Sequence, residues 1–154
     1  MLTRIFPKLI DNRARGHWLA IWILVPIVLL KLVIGTNSIL NTRMVAISAD
    51  GIPIGSFDPG GAQAVIGLFA LLGLSQLLVA FLGATVLIRY RAMIPFMYLL
   101  LLFQQLGGKA MVMLRPVTET GEHDVGSAVI LAILALTVIG FALSLLGKPA
   151  PENP

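Results

Sequence analysis

Four long apolar segments alternate with short polar stretches, and they dominate the pattern of the chain. We place them near residues 17–36, 61–88, 92–114 and 126–147. A helix needs about 20 apolar residues to cross the hydrocarbon core of a bilayer, and each segment reaches about that length. The pattern predicts an all-α integral membrane protein, in which residues 17–147 form a four-transmembrane-helix bundle.

The flanks of these segments carry helix signals. Residues 1–16 are basic and mildly amphipathic, which indicates a short N-terminal interfacial helix. Asp58, followed by a proline at the first helical position, predicts an N-cap for the second span. The hinge at 89–91 is so short that the second and third spans should be antiparallel neighbours.

The loop 37–58 after span one is predicted to be the longest non-helical stretch. Asp50-Gly51 lies between two apolar runs, which is a hairpin signal. Pro53 weakens that signal because proline cannot donate a hydrogen bond to a strand ladder. A second, shorter loop is predicted at 115–125.

Basic residues predict the orientation of the bundle, since lysine and arginine accumulate on the cytoplasmic side. The N-terminal segment holds four of them, the hinge two, and the tail at 148–154 one. The other side has only Arg43 and Arg115, together with five carboxylates. We therefore expect an N-in/C-in protein of the bacterial inner membrane, with the loop after span one extracytoplasmic.

Composition agrees with the membrane class and removes several others. The chain is 58% hydrophobic and 12% charged, against roughly 45–50% and about 25% in soluble domains. It has no cysteine, which excludes thiol-redox chemistry and thiolate metal sites. The net charge of +4 does not predict nucleic-acid binding, because the basic residues lie at the ends of apolar segments.

Polar side chains inside the spans are the candidate site residues. On span three, Tyr98, Gln105 and Lys109 share one helical face, and they form a sparse polar stripe. On span two, Gln76 lies on a face of small residues that includes Gly73, Ala80 and Gly83. We expect an amide–amide hydrogen bond between Gln76 and Gln105. The glutamines would serve either to hold helices together or to line a site for a polar ligand or quinone headgroup.

Lys31 and Lys109 raise a second question, because a cation in hydrocarbon is costly and no span contains a carboxylate. Three arrangements are open. Each lysine could reach outer headgroups or helix-terminal carbonyls, or it could pair with a loop carboxylate such as Asp50 or Asp58. It could instead bind an anionic ligand, a lipid phosphate or a carboxylate of a partner protein.

One acidic loop is the only cluster that resembles a metal site, with Glu119, Glu122, His123 and Asp124 as weak candidates. Their spacing matches no common metal pattern, so a solvated loop is the simpler interpretation. The sequence predicts no catalytic residue and no cofactor, although a bound lipid or quinone would be compatible with it.

The leading functional hypothesis is a non-enzymatic accessory or structural subunit of a larger membrane complex, or a homo-oligomer. Its partners would be membrane lipids and other membrane subunits or itself, and nucleic acid is not among them. The alternative is binding or transport of a small anionic or lipid- or quinone-like ligand, through a polar stripe of Lys31, Tyr98, Gln105 and Lys109.

Overall fold

The chain is mostly helical in the part that the computed structural model describes, which is residues 2–7, 9–48, 52–114 and 124–146. No strand occurs in these ranges. The α-helices are α1 (Leu2–Ile5), α2 (Trp18–Leu40), α3 (Thr42–Ser48), α4 (Pro59–Ile88), α5 (Ile94–Leu114) and α6 (Asp124–Leu145). Two 3₁₀ turns, Ile54–Ser56 and Arg91–Met93, precede α4 and α5.

Three helical stretches of the described chain are long and apolar enough to cross a membrane, namely Trp18–Leu40, Pro59–Ile88 and Arg91–Leu114. They coincide with the first three predicted spans. The apolar stretch found in α6, Ile130–Leu145, is shorter. Its helix nevertheless occupies most of the fourth predicted segment. The prediction of an all-helical protein with membrane-crossing helices is therefore supported.

The predicted N-cap of α4 is present. The Asp58 carboxylate accepts hydrogen bonds from the backbone N–H groups of Gly60, at 3.1 Å, and Gly61, at 3.2 Å. Pro59 occupies the first helical position, where its missing N–H leaves no hydrogen bond unmade. This local sequence fixes where α4 begins.

The stretch 37–58 after span one was predicted to be non-helical, with a weakened hairpin signal, and the non-helical prediction is wrong for most of residues 37–48. Helix α2 continues to Leu40, and α3 follows almost at once. Ile52 N–H donates to the carbonyl of Ala46 at 3.0 Å, so the chain folds back on α3 rather than pairing as a strand. A helix satisfies its own backbone groups, whereas an isolated two-stranded hairpin is marginally stable. Asp50 and Gly51 themselves lie outside the described residues.

Helix α2 lies at the centre of the bundle. It packs most extensively on α4 and also on α6, and α6 packs on α5. Gly35 of α2 meets Gly73 of α4, and Val28 meets Gly83, so these two helices run antiparallel. Helices α4 and α5, which we expected to be close neighbours, contact each other only sparsely. They are joined at the hinge and share few contacts beyond it.

The hydrophobic core lies at the end of the bundle that carries the hinge, which we call the hinge end. Its buried residues come from α2, α4 and α5: Ala20, Leu24, Ile27, Val28, Val86, Ile94, Met97, Tyr98 and Leu101. Farther from the hinge end the buried positions on α2 are small or polar, namely Lys31, Gly35 and Ser38. The bundle therefore changes from an apolar core to a polar and glycine-rich contact along its length.

The N-terminal segment crosses the hinge end. Among its described residues, the one helix is the four-residue α1. His17 N–H donates to the carbonyl of Leu143 at 3.0 Å, and Ala92 N–H donates to the carbonyl of Asp11 at 3.2 Å. The Arg4 guanidinium also donates to the carbonyl of Leu145. These bonds attach the segment to the last turn of α6 and to the hinge.

Candidate functional site

The Lys31 side chain extends from α2 and is bonded to two glutamines, one on α4 and one on α5. Its side-chain Nζ donates to Gln76 Oε1 on α4 at 2.7 Å and to Gln104 Oε1 on α5 at 2.9 Å. Lys31 is only 9% exposed. We call these three residues the Lys31 cluster. It connects α4 and α5 at a level where they contact each other little.

The helix geometry explains why these three side chains meet. Lys31 is about 13 residues beyond the start of α2, or about 20 Å along the axis. A helical side chain points towards the N-terminus of its helix, which brings the Lys31 amine back towards the hinge end. Gln76 and Gln104 lie about 18 Å and about 15 Å from that end on α4 and α5. The two acceptors therefore lie at the depth that the lysine reaches.

Small residues beside the cluster let α2 and α4 approach closely. A Cβ added to Gly35 would lie 2.9 Å from the carbonyl oxygen of Gly73 and 2.9 Å from the backbone nitrogen of Leu77. A Cβ added to Gly73 would in turn lie 2.8 Å from Ser38 Cβ, which is too close for a methyl group to fit. Gly35 lies one turn beyond Lys31, and Gly73 lies one turn before Gln76. The expected small face of span two is confirmed, because Gly73, Ala80 and Gly83 are all buried.

The Lys31 cluster has more hydrogen-bond donors than it uses. Each glutamine accepts from Lys31 through its oxygen, so each amide NH₂ group still has two donors to place. Neither nitrogen has a partner among the described residues. Among the described residues, Gln105 Oε1 is the one fully enclosed side-chain polar atom that lacks a partner. The amide nitrogens of Gln76 and Gln104 also lack partners but are not among such enclosed atoms, so they retain some accessible surface.

Charge is also unbalanced in the Lys31 cluster. A lysine ammonium has three donors, and two of them are used on neutral amides. No carboxylate forms an ion pair with Lys31 in the described part of the chain. The four apolar segments contain no aspartate or glutamate that could do so. The cluster is a cationic, donor-rich site within otherwise apolar helices.

These contacts bear on two sequence-based expectations. We left open whether Lys31 reaches headgroups or helix-terminal carbonyls, pairs with a loop carboxylate or binds an external anion. Among the described residues it bonds to Gln76 and Gln104, which none of these arrangements included. Binding of an external anion stays a prediction. We also expected Gln76 to bond to Gln105, and that pairing is wrong. Residues 104 and 105 point about 100° apart on a helix, so only the first of them faces Lys31.

Gln105 faces α6 instead. Its amide nitrogen donates to Thr137 Oγ1 at 2.9 Å, and that hydroxyl donates to the carbonyl of Ile133 at 2.6 Å. Because the Thr137 proton is already used, the hydroxyl can only accept from Gln105, which fixes the orientation of the amide. The Gln105 oxygen is then left buried and without a partner. This contact ties α5 to α6 while leaving one acceptor unsatisfied.

Tyr98 is fully buried and has a structural contact. Its hydroxyl donates to the carbonyl of Ala20 at 2.6 Å, which connects α5 to α2. A Cβ added to Gly140 of α6 would lie 2.3 Å from the Tyr98 ring, so this glycine makes room for the aromatic side chain. Tyr98 therefore joins three helices near the hinge end.

Lys109 differs from the other candidates because it is exposed. It has no hydrogen bond to any other described residue. The four members of the predicted stripe, Lys31, Tyr98, Gln105 and Lys109, thus have different surroundings. Sequence reasoning did not identify Gln104 as the second partner of Lys31. The available signal was the Gln104-Gln105 pair itself, since two adjacent side chains on a helix point about 100° apart and so face different neighbours.

The predicted acidic cluster falls largely outside the described residues. Glu119, Glu122 and His123 are not described, and Asp124 is the first residue of α6. Within the described ranges no group of three or more potential metal ligands occurs. The metal candidates therefore stay a prediction from sequence.

Comparison with known proteins gives no further assignment: no family model, no curated protein and no solved structure matches this chain.

Proposed function

We propose that the chain is a four-span protein of the bacterial inner membrane with both termini in the cytoplasm. Helix α6 would be the fourth span, the hinge end would face the cytoplasm, and residues 37–58 and 115–125 would lie outside. Three apolar helices of sufficient length support this arrangement. The basic residues gathered at the hinge end support the orientation, because lysine and arginine favour the cytoplasmic side.

We further propose that it acts as a non-enzymatic accessory or structural subunit of a membrane assembly. The observation that carries this proposal is the Lys31 cluster, in which a lysine within a span is held by two neutral amides. Ionisable groups inside membranes almost always pair or mark a functional site. Here the spans offer no carboxylate, and none of the described residues forms an ion pair with Lys31, which supports a neutralising group on another molecule.

The exposed surface of α4 is consistent with a subunit role. Only 11% of the residues in the most apolar part of α4 are buried within the chain, although α4 is the longest helix described. Lipid covers such a surface in a free protein, and a neighbouring subunit can replace lipid there.

Gentle extraction tests the subunit proposal. We expect native mass spectrometry in a mild detergent to find the chain with at least one further protein, or as a homo-oligomer. A monomer without any associated chain, across several detergents that preserve its helicity, would refute the proposal.

A second candidate function is binding or transport of a small anion or a lipid- or quinone-like molecule. The unpaired amide donors of Gln76 and Gln104 favour it, since they could bind an anionic oxygen or a quinone carbonyl. Solvent extraction of the purified protein, followed by mass spectrometry, tests this function. We expect a stoichiometric small molecule that is lost in Lys31→Met and kept in Lys109→Met. The same extract from both variants would count against it.

A further inference from the structure

We propose that the Lys31 cluster receives a carboxylate carried by a transmembrane helix of a different protein. This inference rests on the proposed subunit function and names the chemistry of the partner. It begins from the donors of the cluster, which are one remaining ammonium N–H and the amide NH₂ groups of Gln76 and Gln104. All are donors, and together they carry one positive charge.

An acceptor with a negative charge complements this set. A carboxylate has two oxygens and about four acceptor positions, so it could bond to the ammonium and to one or both amides at once. It would also remove the unbalanced charge from the hydrocarbon. A quinone carbonyl would satisfy a donor but leave the charge in place. The charge therefore favours a carboxylate over a neutral acceptor.

Depth distinguishes a protein carboxylate from a phospholipid. The acceptors Gln76 and Gln104 lie about 15–18 Å from the hinge end of their helices. In a hydrocarbon core about 30 Å thick, this is close to the middle. Lipid phosphates lie at the headgroups, on either side of that core. An aspartate or glutamate on a membrane helix can lie at any depth, including the middle.

A second copy of this chain cannot supply the group from its spans. None of its four apolar segments contains a carboxylate, and its acidic residues lie in the flanking regions. Two copies placed side by side would instead bring two uncompensated lysines into the same membrane. The complementary helix must therefore come from a different protein.

The sparse contact between α4 and α5 is the place where such a helix would approach the cluster. Beyond the hinge these helices share few contacts, and Lys31 bonds to one residue on each of them. The amide nitrogens of the cluster are not fully enclosed. A helix that approached between α4 and α5 would meet the cluster at mid-depth without separating α2 from α4.

Designed membrane helices provide a defined probe. The full chain, labelled with a donor dye, is placed in phosphatidylcholine vesicles with dilute 21-residue Leu/Ala helices that carry an acceptor dye. The helices differ only at their central residue, which is Glu, Gln or Leu. Energy transfer reports association. We expect the Glu helix to bind at least about fivefold more tightly than the Gln helix, as a single polar contact between membrane helices allows.

Variants of the chain assign that preference. Lys31→Met should abolish it, Lys31→Arg should keep most of it, and Lys109→Met is the matched control that should leave it unchanged. Equal binding of the Glu and Gln helices to the wild-type chain would overturn the inference without any variant. Retention of the preference in Lys31→Met would overturn it as well.

Two further outcomes separate this inference from its alternatives. If phosphatidylglycerol added to the vesicles removes the Glu preference, the site binds lipid anions and the inference is wrong. If Lys31→Met still co-purifies with the same protein as the wild-type chain, the subunit function stands and only the carboxylate contact is refuted. Loss of that protein in Lys31→Met, but not in Lys31→Arg, supports the inference.

Discussion

Lys31 and Lys109 both lie on apolar helices, yet Lys31 is enclosed by neighbouring helices and Lys109 is exposed. Lys31 is 9% exposed and is bonded to residues of α4 and α5. Lys109 is exposed, and no described residue bonds to it. Both are lysine side chains, and both point towards the N-terminus of the helix that carries them. The difference therefore comes from what surrounds each position.

Glycines show how the surroundings differ. Near Lys31, a Cβ on Gly35 would meet the backbone of α4 at 2.9 Å. Near Lys109, a Cβ on Gly107 or Gly108 would meet nothing within 4 Å. The same residue type thus marks a close helix contact in one region and an open surface in the other. A membrane cation becomes buried where helices approach closely and acceptors lie at the depth that the lysine reaches.

The largest effect should come from adding a side chain at Gly35, where α2 and α4 are in close contact. In Gly35→Leu the new side chain must displace the backbone of α4, so we expect about 3 kcal/mol of lost stability, at the upper end for overpacked sites. Gly108→Leu is the matched control. It should change stability by no more than about 1 kcal/mol, in the stabilising direction, because leucine is the better helix former. Reversible unfolding in mixed micelles, followed by circular dichroism, measures both. Similar losses in both variants would contradict the close contact.

The lysines themselves should differ by a smaller amount. Lys31→Met removes the donor of two hydrogen bonds and leaves two acceptors unpaired, which should cost about 1–3 kcal/mol of unfolding free energy. Lys109→Met should stay within about 0.5 kcal/mol, as expected for a surface substitution. The same unfolding assay compares them.

A mutant cycle then tests whether Lys31 acts through Gln104. The effects of Lys31→Met and Gln104→Leu should not add, because both remove the same contact. Gln63→Leu, at an exposed position of α4, should add to Lys31→Met within error. Full additivity of Lys31→Met with Gln104→Leu would show that the bond contributes nothing measurable.

Sequence reasoning predicted the local features and missed the partners of the polar groups. The Asp58 N-cap depends on three consecutive residues, and the small face of α4 depends on one helical period, so both were visible. The partners of Lys31 depend on how α2, α4 and α5 pack, and the short hinge suggested instead that α4 and α5 were close neighbours. That assumption led directly to the wrong pairing of Gln76 with Gln105.

Helix α3, which lies within the predicted loop after span one, was missed for a related reason. Asp50-Gly51 and its apolar flanks fit a hairpin locally, but a hairpin needs a third strand or a packed face to be stable. Helix α3 packs on α4 instead, with Ala46 buried. Local turn signals do not report which surface is available for packing.

The smallest effect should come from the other amide, Gln105. Thr137→Val removes the acceptor of its hydrogen bond at nearly constant shape, and such bonds between membrane helices contribute on average about 0.6 kcal/mol. Because Gln105 Oε1 already lacks a partner, Gln105→Leu in the Thr137→Val background should restore stability rather than lower it further. Thr137→Ser keeps the hydroxyl and is the control. The same unfolding assay ranks these variants against Lys31→Met. If Thr137→Val lowers the unfolding free energy more than Lys31→Met does, then the polar contact between α5 and α6 stabilises the bundle more than the Lys31 cluster does.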